Sequence, residues 1–137
     1  MSEIILEMQN VEKHFGGVRA IDEFSLKIEK GMTYGLIGPN GAGKTTIFNT
    51  ITGIYHADGG KITFMGKDIT NVEPHKAAEL GIARTFQNIR LFGNLSVKTN
   101  VVIACNLHSK YHLGDALFRT SRYRSATKET EEKAMEF

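Results

Sequence analysis

One segment constrains this chain more than any other: Gly38-Pro39-Asn40-Gly41-Ala42-Gly43-Lys44-Thr45. It fits the pattern G-x-x-x-x-G-K-[ST], in which glycines let the backbone turn tightly and come close to a ligand with no Cβ in the way. Successive backbone N–H groups in such a loop face one concavity, which attracts anions. Lys44 adds an ammonium for the outer phosphates of a nucleotide, and the Thr45 hydroxyl is a ligand type suited to Mg²⁺. A helix starting near Lys44 adds the positive end of its dipole. At average residue usage the four defined positions would match by chance in about one chain in two hundred of this length. The flanks narrow the choice further. Met32-Thr33-Tyr34-Gly35-Leu36-Ile37 reads as a short buried strand entering the loop. Thr46-Ile47-Phe48-Asn49-Thr50-Ile51 reads as a helix with Ile47 and Ile51 on one face, and Gly53 stands where a helix ends. The expectation is a strand–loop–helix phosphate site.

Upstream, Ile4 to Val11 alternates loosely as a strand, and Lys13-His14-Phe15-Gly16-Gly17 breaks it. Phe24-Ser25-Leu26-Lys27-Ile28 is a period-2 strand with Phe24, Leu26 and Ile28 inward. These strands predict an antiparallel unit ahead of the nucleotide-binding unit. Phe15, an aromatic at a loop tip, has two readings: a ring that stacks on a base, or a staple between strands. Downstream, His56-Ala57-Asp58-Gly59-Gly60 is a turn and Lys61-Ile62-Thr63-Phe64 a short strand. Pro74 to Leu80 reads as a helix closed by Gly81, with His75 on its solvated side. Ile82-Ala83-Arg84-Thr85-Phe86 reads as a strand delivering Gln87 to the end where α/β proteins hold ligands. Asn88 to Leu95 is a loop carrying the apolar residues Ile89, Leu91 and Phe92 around Arg90, which either folds back on the core or docks a partner. Ser96 is placed to cap a helix from Val97 to about Leu107, with Cys105 a buried thiol within it. Lys110, Arg119, Arg122, Arg124 and Lys128 face one acid, Asp115, over the next stretch, and 127–137 is helix-prone and mostly acidic.

Composition excludes several classes. The 137 residues carry a net charge of only +2, too small to make nucleic acid the expected partner. One cysteine rules out an intrachain disulfide and fits a reducing compartment. No basic, apolar leader opens the chain, and no apolar run approaches the 18 residues or so of a membrane span.

Taken together, three stretches resemble the ATP-binding subunits of ATP-binding-cassette (ABC) transporters, and within them the cassettes of branched-chain amino acid importers. They are Phe15-Gly16-Gly17-Val18-Arg19-Ala20, the segment from Gly35 through Thr46, and Gly81-Ile82-Ala83-Arg84-Thr85-Phe86-Gln87-Asn88-Ile89-Arg90-Leu91-Phe92. The last points to the subfamily, the middle one only to the superfamily. The resemblance runs from Ile4 to about Leu107. It implies an α/β fold: a P-loop NTPase core with an N-terminal antiparallel β unit over residues 1–93, then the start of a helical subdomain over 94–137. It also implies roles. Phe15 would stack on adenine. Gly38, Pro39, Asn40, Gly41, Ala42 and Gly43 would wrap the phosphates of ATP, with Lys44 and Thr46 on their oxygens. Thr45 would hold Mg²⁺, and Gln87 would touch Mg²⁺ or the attacking water, so that Lys44 and Gln87 are the catalytic candidates. A second cassette, the same or different, would complete the nucleotide sandwich. Transmembrane permease subunits would receive the Gln87–Leu95 loop, placing the chain in the cytoplasm on the inner face of the membrane.

The family pattern also includes a Leu-Ser-Gly-Gly-Gln-type signature, an apolar strand ending in Asp-Glu, and a switch histidine. None occurs in the fifty residues after Gln87, so the chain is expected to end within the helical subdomain, and hydrolysis by these residues alone is doubtful. The core strands that this pattern places between the P-loop strand and the Gln87 strand would then be missing, leaving edges and apolar faces open. Two other readings stay open: a P-loop ATPase of a non-transport class, acting in nucleic-acid repair or as a kinase, and a binding-only fragment without catalysis.

Overall fold

A computed structural model describes residues 3–86, 91–105 and 112–136. The chain divides into two compact units, Met1–Arg84 and Thr85–Phe137.

The first unit is built on a four-stranded antiparallel sheet, ordered β2-β1-β3-β4, from β1 (Ile4–Phe15), β2 (Val18–Glu29), β3 (Gly59–Phe64) and β4 (Lys67–Asp68). Both N-terminal strands are longer than their apolar alternation indicates. The glycine break is only the turn of a hairpin, in which Phe15 pairs with Val18 across Gly16 and Gly17. Polar residues Glu12 to His14 continue the ladder because two neighbouring strands, not burial, hold them. Leu6 and Met8 point inward, and so does Val11, three residues later, because the β1–β2 register shifts between Met8 and Val11. At this irregularity the Asn10 amide donates to Ser25 Oγ at 2.9 Å. Phe24, Leu26 and Ile28 face the core as the alternation predicts, each partly buried.

Helix α1 (Lys44–Ile51) crosses this sheet and contributes Ile47 to a core of Leu6, Met8, Val11, Ile21, Ala57, Ile62 and Ile69. Ile51 packs against the same core, as the four-residue spacing requires. The helix stops as expected at Gly53. The Gly53 amide donates to the Thr50 carbonyl at 3.2 Å and the Ile54 amide to the Asn49 carbonyl at 2.8 Å, the paired closure of a left-handed helix end. A Cβ on Gly53 would lie 2.2 Å from the Val72 carbonyl oxygen, so the glycine also admits the chain that leads to α2 (Pro74–Glu79). Pro74 sits in the first turn of α2, Leu80 caps it, and His75 is exposed, all as the sequence indicates.

Two expectations need correction. Residues 32–37 and 82–86, read as the strand into the phosphate loop and the strand into Gln87, join no sheet. Leu36 and Ile82 pack against the core, but Met32, Tyr34 and Phe86 are exposed and Ile37 is 94% exposed. A strand exists only where a neighbour accepts and donates its backbone hydrogen bonds. Among the described residues nothing supplies that neighbour to either segment.

The second unit is helical: α3 (Val97–Cys105), α4 (Leu113–Leu117) and α5 (Ser121–Ala134). Ser96 Oγ accepts from the Thr99 amide at 3.2 Å, the cap expected of it. The helix it starts is described only as far as Cys105, which is partly rather than fully buried. Asp115 and His112 cap α4 reciprocally; the His112 amide and the Thr120 hydroxyl hold the Asp115 carboxyl below its ordinary range. Helix α5 joins the basic stretch to the acidic one in a single element, with Lys128 facing Glu132 and Lys133 facing Glu129 one turn apart. Among the described residues no helix is long and apolar enough to cross a membrane.

Candidate functional site

The phosphate loop connects core residue Leu36 to α1. The Ala42 amide donates to the Pro39 carbonyl at 3.2 Å, closing a tight turn, and Gly41 and Gly43 take positive φ values of 85° and 78°. Gly43 is the cap position of α1, and no side chain caps the helix there. Its first turn holds no acidic residue either, so neither the cap nor the first turn offsets the positive end of the helix dipole. The loop therefore offers an open helix start, a glycine-shaped backbone and one ammonium, a donor set suited to a polyphosphate.

Lys44 does not project freely. Its Nζ donates to the carbonyls of Gly38 and Pro39, both at 2.6 Å, so the side chain lies back across its own loop. A phosphate arriving here would exchange these two bonds to neutral carbonyls for bonds to anionic oxygens, which are roughly twice as strong. The Thr45 side chain is exposed in the first helical turn, and Thr46 is partly buried behind it. Among the described residues no cluster of three or more His, Cys, Asp or Glu side chains forms a cage for a metal ion. A divalent cation here would bridge a protein hydroxyl and the phosphates, as small hard cations commonly do.

The loop is seated against the N-terminal sheet. A Cβ on Gly43 would lie 2.2 Å from the Ala20 carbonyl oxygen of β2. Val18, two residues earlier or about 7 Å along the strand, pairs with Phe15. The hairpin tip and the helix start thus belong to one neighbourhood. Phe15 meets Tyr55 edge to face, with ring centroids 5.1 Å apart and planes at 74°, and the Lys13 ammonium lies 5.5 Å from the Phe15 centroid. Despite both contacts the ring remains 44% exposed. The ring thus packs on Tyr55, a residue outside any strand, instead of stapling two strands, and it keeps an exposed surface.

Asp58 anchors this tip. Its carboxylate accepts from the His14 amide at 2.6 Å and pairs with the Lys13 ammonium at 2.9 Å. The His14 amide first, and Lys13 second, hold the Asp58 carboxyl below its ordinary 3.8. A depressed carboxylate stabilises the fold above its ordinary pKa, and that contribution disappears as pH falls through the lower native value. The difference in melting temperature between the parent and Asp58→Asn is therefore expected to hold steady at neutral pH and to shrink below pH 3.8. A difference that grows in acid would contradict this anchor.

Gln87 and its neighbours Asn88, Ile89 and Arg90 lie outside the described residues. Just before them, Arg84 bonds the buried Asn49 side chain of α1. That link went unread in the sequence. The spacing gave no signal for it, because Asn49 lies about 200° around the helix from Ile47, away from the face that packs on the sheet, and yet is buried. After them, Leu91, Phe92 and Leu95 are exposed, and Asn100 holds their backbone. The Phe92 amide donates to Asn100 Oδ1 at 3.0 Å, and Asn100 Nδ2 returns to the Phe92 carbonyl at 3.2 Å. Asn100→Ala should cost about 1–2 kcal/mol of stability and speed amide exchange at Phe92; unchanged exchange there would show that the loop is held otherwise.

Comparison with known proteins points to one family. The high-affinity branched-chain amino acid transport ATP-binding protein BraF of Pseudomonas aeruginosa is 40% identical over 134 residues, covering 98% of this chain and 52% of that protein. A probable branched-chain amino acid transport ATP-binding protein, LivG, of Archaeoglobus fulgidus is 48% identical over 100 residues, covering 73% and 39%. The crystal structure of a nucleotide-free ATP-binding cassette from an ABC transporter superposes with a TM-score of 0.75 at 36% identity, over 97% of this chain and 52% of that one. The chain spans about half the length of BraF. A family model described as ABC transporter matches residues 21–136, from the core residue Ile21 of β2 through the phosphate loop to the end of α5, and the chain belongs to that family.

Proposed function

We propose that this chain is the N-terminal part of the ATP-binding subunit of an importer for branched-chain amino acids, and that it grips Mg-ATP. The observation that carries this reading is the uncapped start of α1 beneath a glycine loop, with the Lys44 ammonium laid across it. In this reading Gly38 to Gly43 wrap the triphosphate. Lys44 moves from the Gly38 and Pro39 carbonyls to the outer phosphates, and Thr46 bonds a phosphate oxygen. Thr45 holds Mg²⁺, whose charge neutralises the phosphate oxygens, and Gln87 touches Mg²⁺ or the attacking water. Phe15 stacks on adenine. The names of the relatives support the substrate class, since both describe ATP-binding proteins of branched-chain amino acid transport.

Hydrolysis belongs to the assembled transporter. Two cassettes would enclose the nucleotides, and permease subunits would receive the Gln87–Leu95 loop, whose described apolar residues Leu91, Phe92 and Leu95 are exposed. In that arrangement the protein sits on the cytoplasmic face of the membrane. The non-transport readings rest on the basic stretch alone, of which Lys128 faces Glu132 and Lys110 lies outside the described residues.

Isothermal titration of the 137-residue chain with Mg-ATP, Mg-tripolyphosphate and AMP tests the grip. Mg-ATP and tripolyphosphate should both bind, and AMP, which lacks the outer phosphates, should bind at least tenfold more weakly, the equivalent of about 1.4 kcal/mol. Equal affinity for AMP and Mg-ATP would remove the basis of the assignment.

A further inference from the structure

The region just after α1 does more than end a helix. Within four residues it supplies Tyr55, which meets the Phe15 ring, and Asp58, which holds the backbone before that ring and the lysine over it. We propose that Tyr55 and the Asp58–Lys13 pair are positioning residues that set the Phe15 ring for a nucleotide's base. The proposal rests on the reading above that Phe15 stacks on adenine. It assigns that subsite a support from segment 55–58, some forty residues from Phe15 in sequence.

The argument begins from the hairpin. A phenylalanine at the tip of a two-residue turn, flanked by exposed Gly16, Gly17 and Val18, has no core to settle its χ1. Ordering such a ring on binding costs affinity, and a ring already held does not incur that cost. Here three restraints converge. Tyr55 meets the ring at 74°, an arrangement favoured by the ring quadrupoles. Lys13 holds its ammonium 5.5 Å from the centroid, and its side chain is only 14% exposed because Asp58 draws it in. Asp58 also accepts the amide of His14, the residue joined directly to Phe15.

The restraints close a circuit through the phosphate site. Gly43 rests on Ala20 of β2, β2 leads back to Val18 opposite Phe15, and Phe15 meets Tyr55. Tyr55 follows α1, and its own amide donates to the Asn49 carbonyl of that helix at 3.1 Å. The opposite end of α1 is the open start described above. One helix thus carries the phosphate grip at its first residue and the support of the base platform just past its last. A nucleotide bridging Lys44 and Phe15 would lie along this circuit.

Binding of Mg-ATP and of Mg-tripolyphosphate, which has no base, distinguishes a positioning role from a merely structural one. Tyr55→Ala and Asp58→Asn should each weaken Mg-ATP binding about three- to tenfold and leave tripolyphosphate within twofold of the parent. Tyr55→Phe, which keeps the ring edge, should bind Mg-ATP like the parent. In a Phe15→Ala background Tyr55→Ala should add nothing further. If Tyr55→Ala fails to fold, Tyr55→Leu keeps apolar bulk without an aromatic edge and carries the same expectation. Equal weakening toward both ligands, or losses that add to those of Phe15→Ala, would overturn the proposal. So would parent-like Mg-ATP binding by Tyr55→Ala where Phe15→Ala binds weakly. If Phe15→Ala itself binds Mg-ATP like the parent, the stacking reading falls, and this proposal falls with it.

Discussion

Lys44→Ala is expected to lower affinity for Mg-ATP by about 100-fold, the equivalent of roughly 3 kcal/mol of charge-assisted hydrogen bonding. The lysine lays its ammonium over the loop, and its two bonds to the Gly38 and Pro39 carbonyls are what it gives up to reach a phosphate. Those carbonyls belong to exposed residues. In the alanine variant water replaces the ammonium on them, so unfolding free energy should fall by less than about 1 kcal/mol. The dissociation of the two effects is the signature: binding lost, fold retained. Lys44→Arg separates charge from shape. A planar guanidinium cannot place a compact charge where the loop carbonyls now hold one, so it should recover less than about a tenth of the parent affinity. Titration calorimetry and urea denaturation together check this. Affinity within threefold of the parent in Lys44→Ala would mean that the loop amides alone hold the nucleotide.

Gly43→Ala should cost about 3 kcal/mol of stability, combining a left-handed backbone penalty with overpacking. It should also abolish measurable Mg-ATP binding. The new methyl group would lie 2.2 Å from the Ala20 carbonyl oxygen, at a φ of +78°. A backbone carbonyl within a sheet cannot swing aside as a side chain can, so the helix start must lift off β2. Lifting it turns the first amides of α1 away from the phosphate position and separates the loop from the hairpin that carries Phe15. Gly41 provides the control. Its φ is +85°, yet a Cβ there would meet nothing within 4 Å. Gly41→Ala should therefore cost only the backbone penalty, about 1–2 kcal/mol. Equal losses at the two glycines would show that conformation alone, and not the contact with β2, governs the loop.

Much of the site was legible because its determinants are local. The start of α1 at Lys44, its end at Gly53, the Pro74 helix and the Ser96 cap each depend on dihedral preferences and on bonds between residues a few positions apart. The reach of β1 was not legible. Glu12 to His14 are polar and gave no alternation, yet they stay in the ladder because β3 pairs with Glu12 and β2 with Lys13 and His14, up to the Phe15–Val18 turn. The Phe15–Tyr55 contact spans forty residues, and no spacing rule encodes it. Nor could the posture of Lys44 be read. Its long side chain can reach several acceptors, and only the curvature of the folded loop brings two carbonyls within 2.6 Å.

By itself the amino-acid sequence determined the phosphate loop, the helix that follows it, the hairpin that precedes it and, through its motifs, membership of the ABC transporter family. Only the tertiary structure decided which apolar stretches become strands. Residues 32–37 and 82–86 have strand-like composition and join no sheet, whereas polar Lys67–Asp68 does, as the partner of β3. It also decided that Tyr55 and Asp58 hold Phe15, and that Arg84 reaches Asn49. The division has one physical cause. Dihedral preference and helix capping act over a few residues and are written in order along the chain. Strand pairing, ring contacts and the choice of acceptor by a long cation depend on which distant backbone arrives alongside, and that is known only once the chain has folded.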